Sequence, residues 1–340
     1  MNKVVTFGEI MLRLSPEGYY RFLQANKFDV NYGGSEANVA ISLANYGINS
    51  VFITKIPSNE IGQAAINTLR QYNVDTNSIV RGGERLGIYY MEKGASQRPS
   101  KVIYDRAYSS ISQAKPTDFN WDEIFNDAEW FHFSGITPAL SKQLSQICIT
   151  ACKKAKQHNV TVSCDLNYRS KLWTTTEANK IMTEIMPYVD VCIANEEDID
   201  KVFGIKAENT DVEKGKINYQ GYESVAKQIH DKFGCKIVAC TLRTSISASD
   251  NKFTSILYDG EKIYQPKEYS IHIVDRVGGG DSFAAGLIYG ILQKMSLQDS
   301  LEFATAASCL KHSIEGDFNI VTVEEVENLS KGNGTGRVQR

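Results

Sequence analysis

Between residues 121 and 241 the sequence alternates short apolar runs with amphipathic segments of helical length. The runs at 160–164 and 191–194 contain no charged residue and are rich in valine, isoleucine and cysteine, which is typical of strands buried on both faces of a sheet. Helical periodicity follows each run, near 176–186 and from Glu196. Because parallel strands need crossover connections, and crossover helices cover both faces of a sheet, this alternation predicts an α/β fold with a central, mostly parallel sheet.

Two other parts of the chain alternate apolar with polar residues, which is the pattern of strands with one solvated face. They lie at about 10–32 and 86–107, and a polar loop divides the second one. We therefore predict a small, four-stranded β-sheet lid apart from the main sheet. Neither an internal repeat nor a linker interrupts the chain, so residues 1–330 are expected to form a single domain and the glycine-rich end, 331–340, a disordered tail.

Charge and cysteine content argue against several classes of function. A net charge of −3 provides no basic surface for nucleic acid or for an anionic membrane. No apolar run approaches the roughly 18–20 residues that a membrane span needs, and the N-terminus lacks the apolar region of a signal peptide. The seven cysteines include no C-x-x-C pair, which indicates reduced thiols rather than a zinc site or a disulfide framework. We predict a cytoplasmic protein that binds neither nucleic acid nor membranes.

Three consecutive glycines, Gly278, Gly279 and Gly280, precede Asp281 and a run with helical character. Glycine lets successive backbone N–H groups turn toward a bound anion, and a helix that begins there adds its own unpaired N–H groups. A carboxylate beside such an anion site would repel a phosphate, unless its role is to accept the proton of a hydroxyl that attacks the phosphate. The alternative is a glycine-rich turn before a core helix, with Asp281 as a helix-start residue.

A second glycine pair, Gly33 and Gly34, precedes Ser35, Glu36 and Asn38 at the start of another predicted helix. By itself this stretch could be a turn with a serine N-cap. The G-x-x-x-x-G-K-[ST] phosphate loop is absent, and so is a G-x-G-x-x-G motif after the first strand. The sequence therefore supports neither a P-loop protein nor a dinucleotide-binding fold.

Together, the two glycine stretches are similar to the paired signature of the ribokinase-like (pfkB) carbohydrate kinases, which the chain resembles over nearly its whole length. The resemblance implies a ribokinase-like, three-layer α/β/α fold with a small β-sheet lid, and phosphoryl transfer from ATP with Mg²⁺. Within the family, the chain most resembles 2-keto-3-deoxygluconate kinases. Four stretches carry that likeness: 33–38 (GGSEAN), 134–140 (SGITPAL), 165–169 (DLNYR) and 316–319 (GDFN).

A sugar-acid substrate brings a carboxylate, which needs cations or hydrogen-bond donors. The resemblance implies that such a substrate contacts residues of the lid, the strand ends and the two glycine stretches. These residues are Gly34, Tyr89, Tyr104, Asp105, Arg106, Arg169, Asp281 and Asp317. Neutral-sugar kinases of the family often have an aspartate after the first strand, and its absence here fits an acidic substrate. Taken singly, each arginine could instead form a surface ion pair, the tyrosines could pack within the lid, and Asp317 could bond its own backbone.

For the nucleotide, the resemblance implies contacts from the three glycines of 278–280 and from Asn167, Asn195, Thr241, Arg243 and Ser245. The family's N-x-x-E motif, which places Mg²⁺ through water, corresponds to Asn195 and Asp198, where the acid is shorter and Glu197 could substitute. The alternative is an acidic first turn that complements a helix dipole. Residues 241–247 lack the glycines that relatives have there, and Arg276 replaces a residue that is small or hydroxylic in relatives.

These inferences lead to one expected reaction, the MgATP-dependent phosphorylation of 2-keto-3-deoxygluconate on its terminal hydroxyl, with Asp281 as the base. The N–H groups of residues 278–281 hold the charge on the transferred phosphoryl group, and Arg106 and Arg169 orient the sugar acid. Two alternatives stay open: a kinase of another small sugar, such as fructose or a different deoxy-keto acid, and a non-catalytic sugar-acid sensor. Because apolar lid strands favour pairing with a second lid, we also expect a homo-oligomer, either a dimer through the lid or a larger assembly.

Overall fold

The computed structural model describes residues 2–207 and 219–334. Its β-strands are, in chain order, β1 (Lys3–Phe7), β2 (Met11–Ser15), β3 (Asp29–Gly33), β4 (Asn49–Ile53), β5 (Lys55–Ile56), β6 (Val80–Arg81), β7 (Gly87–Glu92), β8 (Lys101–Asp105), β9 (Ala128–Ser134), β10 (Thr161–Asp165), β11 (Val191–Asn195), β12 (Ile237–Ser245), β13 (Asp250–Tyr258), β14 (Ile263–Tyr264) and β15 (Tyr269–His272). Its α-helices are α1 (Ser35–Asn45), α2 (Glu60–Gln71), α3 (Trp121–Ile124), α4 (Ile136–Ala139), α5 (Lys142–Gln157), α6 (Thr175–Ile185), α7 (Glu196–Phe203), α8 (Tyr219–Phe233), α9 (Gly279–Leu292), α10 (Leu297–Lys311) and α11 (Val323–Ser330).

A large sheet forms the centre of the described part of the chain, with the order β14-β13-β12-β11-β10-β9-β1-β4 and with β15 also paired to β13. The pairs from β12 to β4 are parallel, whereas β13 is antiparallel to β12, β14 and β15. The parallel pairs require crossover connections, and helices supply most of them, as the alternation in the sequence predicts. The N-terminal strand therefore lies inside the sheet, between β9 and β4.

Successive residues of a strand point to opposite faces of the sheet, and this divides the apolar core in two. Val5 and Phe131 belong to a cluster with α5, α6, α7 and α8 on one face. Val4 and Trp130, each one residue earlier, belong to a second cluster with α1, α9, α10 and α11 on the other face. The fold is therefore a three-layer α/β/α arrangement around a mostly parallel sheet, as the sequence predicts.

A separate four-stranded sheet, with the order β3-β2-β7-β8, forms the lid. The two outer pairs are antiparallel, and the central pair of β2 and β7 is parallel. One row of residues in register across the lid, which we call the inner row, consists of Asn31, Arg13, Tyr89 and Tyr104. The adjacent row, the outer row, consists of Val30, Leu14, Tyr90 and Ile103. Because the side-chain period of a strand is two residues, the two rows lie on opposite faces of the lid.

Several short or peripheral elements were missed in the sequence, among them β15, α11 and the two-residue pair of β5 and β6. A two-residue strand has no periodicity to detect, but α11 begins with a capping box between Thr322 and Glu325 that the sequence does display. Residues 331–334 follow α11 in a turn, whereas 335–340 lie outside the described residues. The disordered tail therefore stays a prediction.

The cysteines are consistent with reduced thiols, since all seven are free and six of them are buried. Within the described ranges, no helix has both the length and the apolar character needed to cross a membrane.

Candidate active site

A cleft of about 890 Å³ opens between the lid and the carboxyl ends of the central strands. Asp165 and Asn195 line it from the last positions of β10 and β11, and Thr241 lines it from within β12. Tyr89 and Tyr104 of the inner row line it from the lid. Open α/β sheets bind their ligands at this edge, so the fold brings the predicted site residues to a place suited to ligand binding.

The three consecutive glycines begin α9, and we call residues 275–281 the glycine loop. Gly278 is the N-cap residue and has a φ angle of +83°, a backbone conformation that favours glycine. A Cβ atom at Gly278 would also overlap the carbonyl oxygen of Asp317. The first intrahelical bond runs from Ser282 N to the Gly278 carbonyl at 2.9 Å, so the N–H groups of residues 279–281 have no acceptor within the helix. With the positive end of the helix dipole, these groups have the geometry that suits an anion in the cleft.

Asp281 is held in the cleft by two side chains from the first turn of α1. Ser35 Oγ donates to Asp281 Oδ1, and Asn38 Nδ2 donates to Asp281 Oδ2, both at 2.7 Å. Asn167, which the resemblance assigned to the nucleotide, donates from Nδ2 to Ser35 Oγ at 3.4 Å and supports this arrangement. Burial raises the pKa of Asp281, although the bonds from Asn38 and Ser35 act in the opposite direction. The result is an oriented carboxylate beside the anion-binding N–H groups.

Glu36 connects the start of α1 to the stretch at 134–140. Its Oε1 atom accepts hydrogen bonds from Ser134 N at 2.8 Å, from Ser134 Oγ at 2.7 Å and from Thr137 Oγ1 at 2.7 Å. Burial raises the pKa of Glu36 to about 7, although these hydrogen bonds lower it. Because the same helical turn holds Asp281, the 134–140 stretch supports the position of that carboxylate, and its Ile136 also lines the cleft.

Arg13, a residue of the inner row, forms a buried ionic cluster beneath the cleft. Its guanidinium lies 2.6 Å from Asp275 and 2.7 Å from Asp317, and its side chain is 1% exposed. The hydroxyl of Tyr89 donates to the same Asp317 carboxylate. Lys311 is fully buried beside the cluster, where burial lowers its pKa and the charges of Asp275 and Asp317 raise it. Arg13 therefore connects the lid to the glycine loop.

The two arginines predicted to orient the sugar acid have different surroundings. Arg106 is buried and pairs with Glu9, whose Oε2 lies 2.8 Å from Arg106 Nε. Glu9 follows β1, so a carboxylate does occupy the region after the first strand, and Arg106 neutralises it. Arg169 is exposed and donates from Nη1 to the carbonyl of Tyr168 at 2.9 Å. Among the described carboxylates none forms an ion pair with Arg169, which is therefore the better placed of the two for a substrate carboxylate.

Of the other residues assigned to the substrate, Gly34 and Tyr104 line the cleft, whereas Asp105 lies outside it. Asp105 follows Tyr104 in β8 and so points to the opposite face of the lid. Its carboxylate lies 2.9 Å from the guanidinium of Arg85. The prediction that Asp105 contacts the substrate has no support in this geometry, because the period of a strand separates neighbouring side chains.

Asn195 and Asp198, the pair assigned to Mg²⁺, lie where β11 meets α7. Asn195 is the N-cap residue of α7, and its side-chain oxygen accepts a hydrogen bond from Asp198 N at 2.8 Å. Asp198 Oδ1 accepts a hydrogen bond from Tyr168 N at 2.9 Å. Burial raises the pKa of Asp198 to about 6. Burial also raises the pKa of Asp165 well above its ordinary value, and the charges of Asp198 and Asp281 add to that effect.

The residues assigned to the nucleotide on β12, namely Thr241, Arg243 and Ser245, all line the cleft. They occupy every second position of the strand, so their side chains lie on the same face of the sheet. Arg243 Nη2 lies 3.1 Å from His312 Nε2, while His312 Nδ1 lies 2.6 Å from the carbonyl of Ser308. Burial lowers the pKa of His312 to about 3, so the imidazole is neutral and its Nε2 accepts from the arginine.

The model of the pfkB family of carbohydrate kinases matches residues 1–319. The chain belongs to this family. It is 54% identical to 2-dehydro-3-deoxygluconokinase from Thermotoga maritima, with a TM-score of 0.94 and coverage of 98% of this chain and 100% of that one. A PfkB family carbohydrate kinase from Listeria grayi is 36% identical, with a TM-score of 0.90 and coverage of 97% and 100%. A 2-dehydro-3-deoxygalactonokinase from Haloferax volcanii is 30% identical over 334 residues, which cover 98% of each chain.

These similarities confirm three predictions made from the sequence: the pfkB family, the ribokinase-like α/β/α fold with its lid, and the activity of a carbohydrate kinase. The family implies that ATP is a substrate of this kinase.

The side chains around Asn195 fit the Mg²⁺ that is typical of such kinases. Asp165 and Asp198 are buried carboxylates that the neighbouring cations do not fully neutralise, and a divalent cation would let both ionise. Within residues 2–207 and 219–334, no group of three acidic, histidine or cysteine side chains could hold a metal ion by itself. Mg²⁺ keeps several waters and takes phosphate oxygens as ligands, so such an incomplete set of protein ligands is suitable for it.

Sequence reasoning missed the residues that position Asp281. Ser35 and Asn38 belong to a stretch that it singled out, and their spacing of three places them on one face of a helix, which is the signal that could have identified them. Arg13 and Lys311 offered no comparable signal, because their roles depend on contacts between distant parts of the chain.

Proposed function

We propose that this kinase transfers the γ-phosphoryl group of ATP to the terminal hydroxyl of 2-keto-3-deoxygluconate. One observation carries the proposal: Asp281 is oriented beside the free N–H groups of the glycine loop, in a cleft that also presents the exposed guanidinium of Arg169. The name of the relative from Thermotoga maritima, 2-dehydro-3-deoxygluconokinase, supports the same substrate, since 2-dehydro and 2-keto describe the same group.

In the proposed reaction, the hydroxyl oxygen forms a bond to the γ-phosphorus while its proton passes to Asp281. The bond between the γ-phosphorus and the β–γ bridging oxygen breaks, and ADP leaves with that electron pair. The N–H groups of residues 279–281 stabilise the charge on the transferred group, and the two donors from α1 keep the carboxylate in place. Asn195 and Asp198 would hold Mg²⁺ through water, and the ion would supply positive charge that neutralises the phosphates of ATP.

The lid completes the site over the sugar. Tyr89 and Tyr104 lie on its inner row, with ring centroids 6.1 Å apart, and Arg106 lies 5.3 Å from the centroid of the Tyr104 ring. These side chains cover the substrate end of the cleft, and a closed lid excludes the water that would otherwise hydrolyse ATP. We propose that Arg169 binds the sugar-acid carboxylate, and that Arg106, already neutralised by Glu9, positions the Tyr104 ring.

A panel of acceptors tests the proposal that 2-keto-3-deoxygluconate is the substrate. ADP release is measured with 2-keto-3-deoxygluconate, its C4 epimer 2-keto-3-deoxygalactonate, fructose and ribose, and the phosphorylated carbon is identified by NMR. The highest kcat/KM is expected with 2-keto-3-deoxygluconate. A higher value with fructose or ribose would refute the proposal. Folded protein that binds ATP but phosphorylates none of the four would support the sensor alternative.

Carboxylate recognition is tested at Arg169. Replacement by Ala should raise KM for the sugar acid by about 10- to 100-fold, since a hydrogen bond to a charged group contributes about 1.5–3 kcal/mol. The KM for any neutral sugar that is accepted should change much less. Arg169→Lys retains the charge and should recover part of the loss, and Arg81→Ala, outside the cleft, serves as the control. An equal rise in KM for the sugar acid and for the neutral sugar would contradict the proposal that Arg169 binds the carboxylate.

We also propose a homodimer in which the outer rows of two lids pair. Val30 and Ile103, at the two edges of this row, are 60% and 53% exposed, and Leu23 in the loop before β3 is 94% exposed. Such an exposed apolar stripe on a small sheet favours burial against a second copy. Sedimentation should give a dimer or a larger assembly for the wild type and a smaller species for Ile103→Lys. A wild type that is monomeric at micromolar concentration would refute this.

Two further predictions accompany the function. We propose that residues 1–330 act as one kinase domain, because a single active site combines the first turn of α1 with the first turn of α9. A cytoplasmic location agrees with a substrate such as ATP and with free thiols, and it stays a prediction.

A further inference from the structure

Arg276 lies in the glycine loop, two residues before Gly278, and has no role in the mechanism described above. Its side chain is half-buried and lines the cleft together with residues 278–280. Its Nη2 donates to the carbonyl oxygen of Ala248 at 3.3 Å. A guanidinium has five N–H donors, so this contact fixes the side chain and leaves most of its donors for a ligand.

Within the part of the chain that the structure describes, no carboxylate neutralises the charge of Arg276. The carboxylate of the adjacent Asp275 is taken by Arg13 at 2.6 Å. Among the described carboxylates none forms an ion pair with Arg276, whereas the buried arginines Arg13 and Arg106 are both paired. A half-buried cation without a partner is costly unless a ligand neutralises it. The surroundings of the Arg276 guanidinium therefore favour a bound anion that neutralises its charge.

The surroundings of Arg276 indicate which anion it contacts. Its anchor, Ala248, belongs to the turn that follows β12, the strand whose side chains Arg243 and Ser245 line the nucleotide side of the cleft. The N–H groups of residues 279–281, which bind the transferred group, follow in the same loop. The sugar-acid carboxylate is instead assigned to Arg169, in the segment that follows β10. A phosphate of the nucleotide is thus the anion that the placement favours.

The anchor of Arg276 is itself held from two sides. Ala248 N donates to the carbonyl of Ser96, in the loop between β7 and β8 of the lid, at 2.7 Å. Ser96 N donates in turn to Ser249 Oγ at 3.0 Å, and Ile273 N donates to the Ser249 carbonyl at 2.7 Å. A donor fixed in this way before the reaction stabilises developing charge without reorganisation.

We propose that Arg276 is a catalytic residue whose guanidinium contacts the γ-phosphoryl group of ATP during transfer. This rests on the proposed kinase reaction. As the acceptor oxygen bonds to the γ-phosphorus and the bond to the β–γ bridging oxygen breaks, Arg276 keeps all its protons and balances the charge on the γ-phosphoryl oxygens. Asp281 takes the only proton that moves, and the bonding electron pair leaves with ADP.

Nucleotide binding without any sugar provides the first test, so its outcome does not depend on which acceptor the kinase uses. Affinities for Mg²⁺ with adenylyl imidodiphosphate, for ADP and for adenosine are measured by calorimetry for the wild type, Arg276→Ala and Arg276→Lys. Arg81→Ala is the matched control, because Arg81 also bonds only neutral groups, the Pro57 carbonyl and Gln63 Oε1, and lies outside the cleft. Thermal unfolding checks that each variant is folded.

Arg276→Ala should weaken binding of the triphosphate analogue by about 10- to 100-fold, while the affinities for ADP and adenosine change less than about threefold. With the best acceptor of the panel, kcat should fall by about 10²- to 10³-fold, and added guanidinium ion should restore part of it. Equal losses for the triphosphate analogue and ADP, or a raised KM for the sugar with unchanged nucleotide affinity, would overturn the proposal. If no acceptor is phosphorylated at all, the proposed function fails, and the binding series still decides the contact to the γ-phosphate.

Discussion

The buried carboxyl of Glu36 should make the stability of the protein depend on pH in a defined direction. Burial raises its pKa from 4.5 to about 7 in the folded chain. Between these two values the folded chain binds a proton that the unfolded chain releases. The stabilisation from this proton is complete below about pH 4.5 and is lost as the pH rises to about 7. The pKa of Glu36 rises from 4.5 in the unfolded chain to about 7 in the folded chain. At about 1.36 kcal/mol per pKa unit, this shift corresponds to about 3 kcal/mol of unfolding free energy.

The Glu36→Gln variant isolates this effect. A glutamine keeps a side-chain oxygen for the donors of Ser134 and Thr137, but it cannot ionise. The free energy of unfolding of the variant should therefore lack the part of the pH dependence that comes from Glu36. Between pH 4.5 and 7 the wild type should lose this stabilisation, so the variant should become increasingly stable relative to the wild type. The exposed Glu60, in the first turn of α2, provides the control variant Glu60→Gln.

Urea unfolding followed by tryptophan fluorescence, at intervals between pH 4.5 and 8, measures these free energies. We expect Glu36→Gln to gain about 3 kcal/mol relative to the wild type across this range, and Glu60→Gln to follow the wild type. Parallel curves for the wild type and Glu36→Gln would refute the reasoning, because they would show that folding does not raise the pKa of Glu36.

Three other substitutions test the site. Asp281→Asn should lower kcat by about 10²- to 10⁴-fold and leave nucleotide affinity unchanged, and near-normal turnover in a coupled assay would exclude Asp281 as the base. Arg13→Met leaves Asp275 and Asp317 buried without a counter-charge and should cost about 3–5 kcal/mol in urea unfolding. Adding Asp275→Asn should recover part of that loss, and a single variant within about 1 kcal/mol of the wild type would contradict the ionic cluster. Gly278→Ala introduces a Cβ at positive φ against the Asp317 carbonyl, so kcat should fall at least tenfold. The circular dichroism spectrum should stay that of the folded wild type. An unchanged kcat would show that a glycine is not required at this position.

Much of the fold was predictable because it depends on local pattern. Strand and helix periods alternate along the chain, and the parallel sheet with two helical layers follows from them. The alternation of apolar and polar residues also predicted the lid strands, but it did not predict the parallel pairing of β2 with β7. That pairing joins segments that are distant in the sequence, and nothing in either strand specifies the partner or its direction.

The site was predictable to the extent that its chemistry lies in short motifs. The three glycines and Asp281 indicate an anion site and a base, although by themselves they also fit a glycine-rich turn before a core helix. Arg13 could not be recognised in this way, since its partner Asp317 lies 304 residues further along the chain. Asp105 was assigned through its neighbours in a motif, and the geometry of a strand turned it away from the cleft. Arg276 required the structure, because only the positions of the other described charges show that none of them forms an ion pair with it.

The ionic cluster at Arg13 also has a consequence for how the protein is made. Arg13 leaves the ribosome well before its partners Asp275 and Asp317, which follow 262 and 304 residues later. The two side chains that hold Asp281 likewise precede it by 246 and 243 residues. Until Asp275 and Asp317 emerge, Arg13 on the inner face of the lid lacks both carboxylates with which it pairs in the folded chain, and until Asp281 emerges the cleft lacks the proposed base. The contacts that join the lid to the glycine loop, and those that hold Asp281, can therefore form only after residues 275–317 have been synthesised.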